Sequence, residues 1–177
     1  MKITLSKGVS ALAALLIGAV SGVQAQSNKE DESYHADYIY GAPAEATEAW
    51  IMSRGGRIYD NWYAALGTDK PETTHPAWPD SNTKKKGAVT TRCKSCHGWD
   101  YRGADGKYGS GSYKTGITGI MAYSGRDVAE IISLLRGDAH GYTSEMIPDD
   151  QMAYLAAFVS RGTEDMNSII DFSSGTV

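Results

Sequence analysis

The sequence predicts an all-α domain of three to five helices joined by long irregular loops. Three segments carry apolar residues at helical spacing, and residues suited to capping a helix stand near their ends. No segment has the alternation of apolar and polar residues that is typical of a half-buried β-strand. The stretches between the three segments are long and rich in glycine, proline and polar residues, which indicates loops.

The first helix is predicted within residues 45–66, where Thr47 can cap the start and aromatic and aliphatic residues recur at helical spacing. Gly55 and Gly56 interrupt this pattern, each at a cost in helix propensity of about 1 kcal/mol. Two explanations remain open at this point. Either the helix begins nearer Ile58, or another part of the protein packs against bare backbone at the glycines.

The other two helices are shorter and have clearer ends. Ser124 or Asp127 can open a helix that Gly137 closes. Pro148 precedes the last helix, which is predicted to run to about Arg161. Five apolar residues are expected on the buried side of that helix: Met152, Leu155, Ala156, Phe158 and Val159.

Residues 1–25 have the layout of a secretory signal peptide. Two lysines precede an apolar run over residues 9–20, and Val23 and Ala25 offer small residues at the positions that signal peptidase reads. The apolar run is shorter than the roughly 18 residues that a membrane-spanning helix needs. The sequence therefore predicts an exported, periplasmic protein that is cleaved near Ala25 and has no membrane span in its mature form.

The remaining residues are enough for one domain with short flanking segments. Residues 26–44 are expected to form a flexible extension, and residues 45–162 the domain itself. Within that domain, residues 67–92 form a long irregular connection of the kind that is usually functional or disordered. Residues 163–177 are a polar tail, and whether it is a truncated link to a further domain is left open.

The net charge argues against two broad functions. The chain has 17 basic and 21 acidic side chains, a net charge of −4, and loss of Lys2 and Lys7 with the signal peptide would make this −6. Nucleic acids and anionic membranes attract proteins with an excess of positive charge. Neither is therefore an expected partner of this chain.

Cys93 and Cys96 are the two cysteines of the sequence, and His97 follows them directly. In a haem anchor, the two thiols add across the two vinyl groups of one porphyrin, and the histidine is thereby placed at the iron as the proximal ligand. A redox-active dithiol would need a βαβ context. A structural zinc site would have to recruit a distant histidine, and a disulfide would close too small a loop to stabilise the chain much. The motif therefore favours one covalent haem c.

An electron carrier with six-coordinate iron also needs a second axial ligand. Met146 is predicted for this role, because its loop leads into the last helix and can bring a thioether over the haem. His140 lies in the same loop and is the alternative, which would give a bis-histidine site of lower potential. Met121 is nearer the cysteine motif and is expected to line a haem edge.

With these features, the chain resembles the monohaem class I c-type cytochromes over about residues 47–161. The resemblance is carried by the segment CKSCH and by Gly55 and Tyr59 on the first helix. In that family the first helix crosses the last, where Leu155 and Phe158 would face it. The resemblance implies a class I cytochrome c-like bundle around one covalent haem, and a close helix crossing as the reason for a glycine within a helix.

The cysteine segment, RCKSCHGWDYRGADGKY, is also similar to domains of bacterial periplasmic respiratory and sulfur-oxidation cytochromes. Some of those proteins carry two haems, but a single CxxCH motif provides for one. Residues 67–92 depart from the family pattern, in which the haem anchor follows soon after the first helix. Trp78, Trp99 and Tyr101 flank the motif and are expected to shield the haem, with core packing the preferred role for Trp99.

The predicted function is electron transfer, so we expect an electron carrier and not an enzyme. The alternatives are a haem enzyme or ligand sensor with an open distal site, and an electron-transfer subunit of a larger oxidoreductase complex. Positive charge is concentrated around the cysteine motif, where it is expected to steer an acidic redox partner. This basic collar comprises Lys84, Lys85, Lys86, Arg92, Lys94, Arg102, Lys107 and Lys114.

Overall fold

The computed structural model describes residue 43, residues 45–171 and residue 174. Four α-helices are present within these residues: α1 (Glu48–Leu66), α2 (Cys93–His97), α3 (Val128–Arg136) and α4 (Asp149–Arg161). The described residues contain no β-strand, and an isolated antiparallel bridge joins Gly103 and Thr118. The prediction of an all-α fold is therefore confirmed for the described part of the chain.

The predictions for the two ends of the chain fall largely outside this part. The signal peptide at residues 1–25 lies outside the described residues, as does the extension at residues 26–44 apart from residue 43. The tail is described as far as residue 171 and contains a 3₁₀ turn at Met166–Ser168. Among the helices described, none has the length and apolar character needed to cross a membrane.

Helix α1 begins where its capping residue predicts and continues through both glycines. The side chain of Thr47 accepts a hydrogen bond from the backbone N–H of Trp50 at 3.3 Å. Gly67 ends the helix with a φ of 65°, a conformation that glycine adopts without strain. The backbone departs from helical geometry at Asn61, with φ −157° and ψ 84°, so the helix is kinked there. The sequence had not indicated this kink.

The glycines of α1 allow a close crossing with α4. A Cβ atom at Gly55 would overlap the backbone oxygen of Tyr154 and would lie 2.5 Å from the Cβ of Phe158. The ring of Tyr59, one turn further along, lies with its centre 5.6 Å from that of Phe158. The second explanation of the glycines is therefore confirmed: bare backbone at Gly55 lets the two helices approach.

Gly55→Ala should lower the free energy of unfolding by about 1–2 kcal/mol, measured by urea unfolding. Overpacking costs roughly 1–3 kcal/mol, and overlap with backbone cannot be relieved by side-chain rotation, so the cost exceeds the gain of about 1 kcal/mol in helix propensity. Gly56→Ala is the matched control. Its Cβ would meet the ring edge of Phe158 at 3.2 Å, and that ring can shift. Equal losses in the two variants would contradict the close crossing.

Helices α3 and α4 have the boundaries that their capping residues predict. The carboxylate of Asp127 accepts hydrogen bonds from the N–H groups of Ala129 at 2.8 Å and Glu130 at 3.2 Å, and Gly137 follows the last residue of α3. Helix α4 starts directly after Pro148. The five residues predicted for its inner side are all buried: Met152, Leu155, Ala156, Phe158 and Val159. Helix α1 packs against α4. Two of the five residues, Leu155 and Val159, also line the site described next.

Candidate functional site

A cavity of about 310 Å³ lies beside the cysteine motif, and all four helices contribute residues to its lining. This volume is at the lower end of the roughly 300–1,000 Å³ that is typical of pockets for small molecules and cofactors. Aliphatic side chains of α3 and α4 form one part of the wall: Ile131, Leu134, Leu135, Leu155 and Val159. Five side chains with ligand chemistry also line the cavity: His75, Cys93, Cys96, His97 and His140.

The chain just before the cysteines is held by two aromatic side chains. The carbonyl oxygen of Thr91 accepts hydrogen bonds from the indole N–H of Trp62 at 3.0 Å and from the hydroxyl of Tyr142 at 2.6 Å. Trp62 belongs to α1, whereas Tyr142 lies in the loop between α3 and α4. Because both donors and the acceptor are buried, these bonds fix the position at which Cys93 begins α2.

An ion cluster centred on Asp60 of α1 also holds the cysteine motif in place. The buried carboxylate of Asp60 lies 2.9 Å from the guanidinium of Arg92 and also pairs with the ammonium of Lys94. These two cations flank Cys93 in sequence and are themselves largely buried. On the far side of the motif, the hydroxyl of Tyr59 donates to the carbonyl oxygen of Gly98 at 2.6 Å.

His97 has a fixed ring orientation. Its Nδ1 atom lies 2.7 Å from the carbonyl oxygen of Thr118. Because a carbonyl oxygen only accepts hydrogen bonds, Nδ1 carries the proton and Nε2 carries the lone pair. Metal-binding histidines in proteins commonly have this arrangement, with one ring nitrogen donating to a carbonyl and the other bound to the metal.

A close approach of two loop segments brings Thr118 to His97. Gly103 and Thr118 form the isolated bridge, and the N–H of Ala104 donates to the carbonyl oxygen of Ile117 at 2.8 Å. Gly103 has a φ of 55°, and a Cβ atom there would overlap the carbonyl oxygen of Ile117. Only glycine fits both constraints, so Gly103 is required for the approach that brings Thr118 to His97.

Burial favours the neutral form of His97 and His140 by lowering the pKa of each. Burial lowers the pKa of His97, against the opposing effect of its bond to the Thr118 carbonyl, and the nearby His140 lowers that pKa further. Burial likewise lowers the pKa of His140, with its bond to the Leu134 carbonyl acting in the opposite direction. Neutral imidazole is the form that binds metals.

Cys93 and Cys96 line the cavity as free thiols. Burial raises the pKa of Cys93 to about 12, with the neighbouring Cys96 as a further cause. Burial also raises the pKa of Cys96 to about 12. Redox-active dithiols need the opposite shift in at least one cysteine, because the thiolate is the attacking form.

His140 faces the same cavity as His97. The two ring centres are 6.2 Å apart, and the ring planes are inclined by 33°. Nδ1 of His140 lies 3.2 Å from the carbonyl oxygen of Leu134. Within the described residues, no three His, Cys, Asp or Glu side chains converge closely enough to hold a metal ion by themselves.

The structure separates the two residues that the sequence offered as second axial ligand. His140 lines the cavity with Cys93, Cys96 and His97, whereas Met146 is not among the lining residues. Met146 is half-buried and packs against the hydrophobic core instead. Met121, expected at a haem edge, is likewise not among the lining residues.

The prediction of core packing for Trp99 is wrong. Its side chain is 54% exposed and lies beneath the ammonium of Lys94, 4.2 Å from the ring centre. The preceding residue, Gly98, is bonded through its carbonyl oxygen to the hydroxyl of Tyr59, which is itself buried in the core. Tyr101 packs against Tyr59 with ring centres 5.5 Å apart, and Trp78 is buried but does not line the cavity.

Part of the basic collar is paired with acidic residues of the protein itself. Arg92 and Lys94 both contact Asp60, and Arg102 contacts Asp165 at 2.5 Å. These three cations therefore contribute less positive field than their number indicates. The other members of the collar are Lys84, Lys85, Lys86, Lys107 and Lys114.

The positioning groups that sequence reasoning missed are His75, Asp60, Thr118 and Tyr142. Each acts on a partner far away in the chain, so no local pattern marks it.

No protein-family model, curated protein or solved structure was found to match this chain.

Proposed function

We propose that this protein transfers electrons by means of one haem c, held covalently by Cys93 and Cys96 and with His97 as an axial ligand. The observation that carries the proposal is the grouping of both thiols and His97 on one cavity wall. The bond from Nδ1 of His97 to Thr118 leaves Nε2 available for iron. When bound, the haem supplies reversible one-electron chemistry at its iron.

The residues around the cavity fit such a group. A porphyrin is a large, mainly apolar body, and aliphatic side chains of α3 and α4 provide an apolar wall for it. The Thr91 carbonyl is held by Trp62 and Tyr142, so the first cysteine is presented from a fixed segment of chain. A preformed anchor of this kind lowers the ordering cost of binding the cofactor.

Other uses of the same residues have weaker support. A dithiol redox centre requires a stabilised thiolate, whereas burial raises the pKa of both thiols. A structural zinc site requires four converging ligands, and the described residues contain no converging group of three. A haem enzyme or sensor requires an open iron position, and the nearness of His140 to His97 favours a closed one.

The cellular location and the redox partner are proposed from two other features of the sequence, the signal-peptide pattern and the basic collar. The signal-peptide pattern of residues 1–25 supports a periplasmic location. The lysines of the collar that are not paired with Asp60 or Asp165 would steer an acidic redox protein toward the site. Such a partner is either a diffusing redox protein or another subunit of an oxidoreductase complex.

The test of this function is the mass of the full-length chain made together with a bacterial haem-attachment machinery. After denaturation, the polypeptide should retain the mass of one haem, and its reduced pyridine adduct should show a c-type spectrum. Retention through denaturation is expected because thioether bonds do not depend on the fold. Recovery of the bare polypeptide, or of a chain that carries only a Cys93–Cys96 disulfide, would refute the proposal.

A further inference from the structure

We infer that His140, and not Met146, is the second axial ligand, and that His75 of the loop at residues 67–92 is the residue that positions it. This inference rests on the proposed covalent haem and deepens it. A bis-imidazole site has a lower reduction potential than one with a thioether ligand. The protein would accordingly serve partners at the low-potential end of an electron-transfer chain.

The distance between the two rings suits a shared iron. A metal–imidazole bond is about 2 Å long, and the ring centre lies about 1 Å behind the bonding nitrogen, so two imidazoles on opposite faces of one iron place their centres about 6 Å apart. The ring centres of His97 and His140 are 6.2 Å apart. Ring planes in such a pair take a range of mutual angles, so the observed 33° is compatible with shared coordination.

Both rings also carry their lone pair on the same nitrogen. Nδ1 of His97 lies 2.7 Å from the Thr118 carbonyl oxygen, and Nδ1 of His140 lies 3.2 Å from that of Leu134. In each ring the proton is therefore on Nδ1 and the lone pair on Nε2. The two histidines thus share the tautomer and the carbonyl partner that are characteristic of metal-binding imidazoles.

Met146 does not line the cavity and packs against the hydrophobic core. Its backbone N–H donates to Thr143, and the adjacent Ile147 is fully buried in the core. The guanidinium of Arg136 donates to the Ile147 carbonyl oxygen at 2.8 Å. The backbone of the turn that carries Met146 is therefore tethered on both sides, and its thioether packs against the core while His140 lines the cavity.

His75 cannot itself be an iron ligand, because both of its ring nitrogens are already used. The backbone N–H of Ala77 donates to Nδ1 at 3.1 Å, so Nδ1 carries no proton. Nε2 therefore carries the proton and donates it to the carbonyl oxygen of His140 at 3.0 Å. The backbone N–H of His75 in turn donates to the side chain of Thr90 at 2.9 Å.

These bonds give the irregular connection at residues 67–92 a function. It runs from α1 to the cysteine motif, and its His75 is bonded to the backbone of the residue that faces His97 across the cavity. The backbone N–H of His140 is bonded to the Gly137 carbonyl at 3.0 Å, so backbone and ring are tied at three points. The loop thereby places the second ligand without contributing one itself.

The ligand assignment is tested on haem-loaded full-length protein by paramagnetic resonance and near-infrared spectroscopy of the ferric form. The unchanged protein should give a low-spin signal with two nitrogen ligands and no thioether-to-iron band. His140→Ala should become high-spin and bind carbon monoxide rapidly once reduced, whereas the matched control Met146→Leu should keep the original spectra. A low-spin signal that survives His140→Ala, or one that is lost in Met146→Leu, would overturn the assignment.

A second variant covers the case in which His140→Ala does not fold. His140→Met retains a ligand at the same position and should replace the two-nitrogen signature with a thioether band; unchanged spectra would overturn the assignment. All spectra are recorded on chains whose mass includes one haem. Failure of haem attachment would therefore refute the proposed function, whereas failure of the spectral predictions refutes the ligand assignment alone.

The positioning role of His75 is tested by comparing His75→Ala with His75→Gln. Loss of an outer hydrogen bond to a metal ligand typically costs roughly 10-fold to 100-fold in affinity, so His75→Ala should speed carbon monoxide binding by about 10-fold. His75→Gln keeps an N–H donor at the position of Nε2 and should restore the slow rate. Unchanged binding in His75→Ala, or equal rates in the two variants, would overturn this role.

Discussion

A chain in which both Cys93 and Cys96 are replaced by alanine should contain no covalently bound haem, whereas the unchanged chain should carry one. Each cysteine provides one thioether bond, so either single variant should retain the cofactor through one bond only. The double variant should also lose helical signal in circular dichroism, because all four helices line the cavity that the haem would fill. The measurements are the mass after denaturation and the far-ultraviolet spectrum.

Ser95→Ala is the matched control for the cysteine variants. Ser95 lies between the two cysteines and is fully buried, and within the described residues its hydroxyl oxygen has no hydrogen-bond partner. Its replacement keeps the spacing of the motif and removes an unsatisfied polar atom, so stability should be unchanged or slightly higher. Haem loss in Ser95→Ala, or haem retained after denaturation in the double cysteine variant, would contradict attachment through these thiols.

Asp60→Asn should lower the free energy of unfolding by about 3–5 kcal/mol, because it leaves Arg92 and Lys94 without the carboxylate they share in a largely buried position. The substitution preserves side-chain size, so the loss reports the charge and not a cavity. Since these two cations flank Cys93, the yield of haem-loaded protein should fall as well. Urea unfolding and the haem-to-protein absorbance ratio measure the two effects.

Asp165→Asn provides the comparison at an exposed ion pair. Asp165 contacts Arg102 at 2.5 Å, with side-chain exposures of 46% and 29%. Exposed ion pairs contribute about 0–1 kcal/mol, so this variant should unfold at nearly the original urea concentration. Similar small losses in both variants would show that the Asp60 cluster is solvated and would contradict its role in holding the motif.

Three of the four helices in the described residues, α1, α3 and α4, could be predicted because their signals are local, whereas the short helix α2 was not predicted. Thr47, Asp127 and Gly137 bond to backbone groups within a few positions of themselves, so the residues that define the ends of α1 and α3 are readable in order along the chain. The buried face of α4 follows from apolar spacing for the same reason. The kink at Asn61 has no such signal, since neither proline nor glycine occupies that position.

Interpretations of the loops were less successful, because loop side chains are placed by distant partners. Trp99 was expected in the core but lies at the surface, where Lys94 covers its ring. His75 is bonded to a carbonyl 65 positions away, and the Nδ1 of His97 to one 21 positions away. Hydrogen bonds over such separations depend on how the loops pack, which a sequence pattern does not encode.

The sequence did not indicate α2 or settle where α1 begins. By itself it determined that the described part of the chain is helical, where α3 and α4 begin and end, and that two thiols and an imidazole stand together at Cys93, Cys96 and His97. Those features depend on neighbours along the backbone. Only the tertiary structure decided which side chain shares the cavity with His97, because His140 and Met146 lie in one loop and differ in what holds them. The bonds to His75 and Leu134 hold His140 at the cavity, whereas Met146 packs against the hydrophobic core.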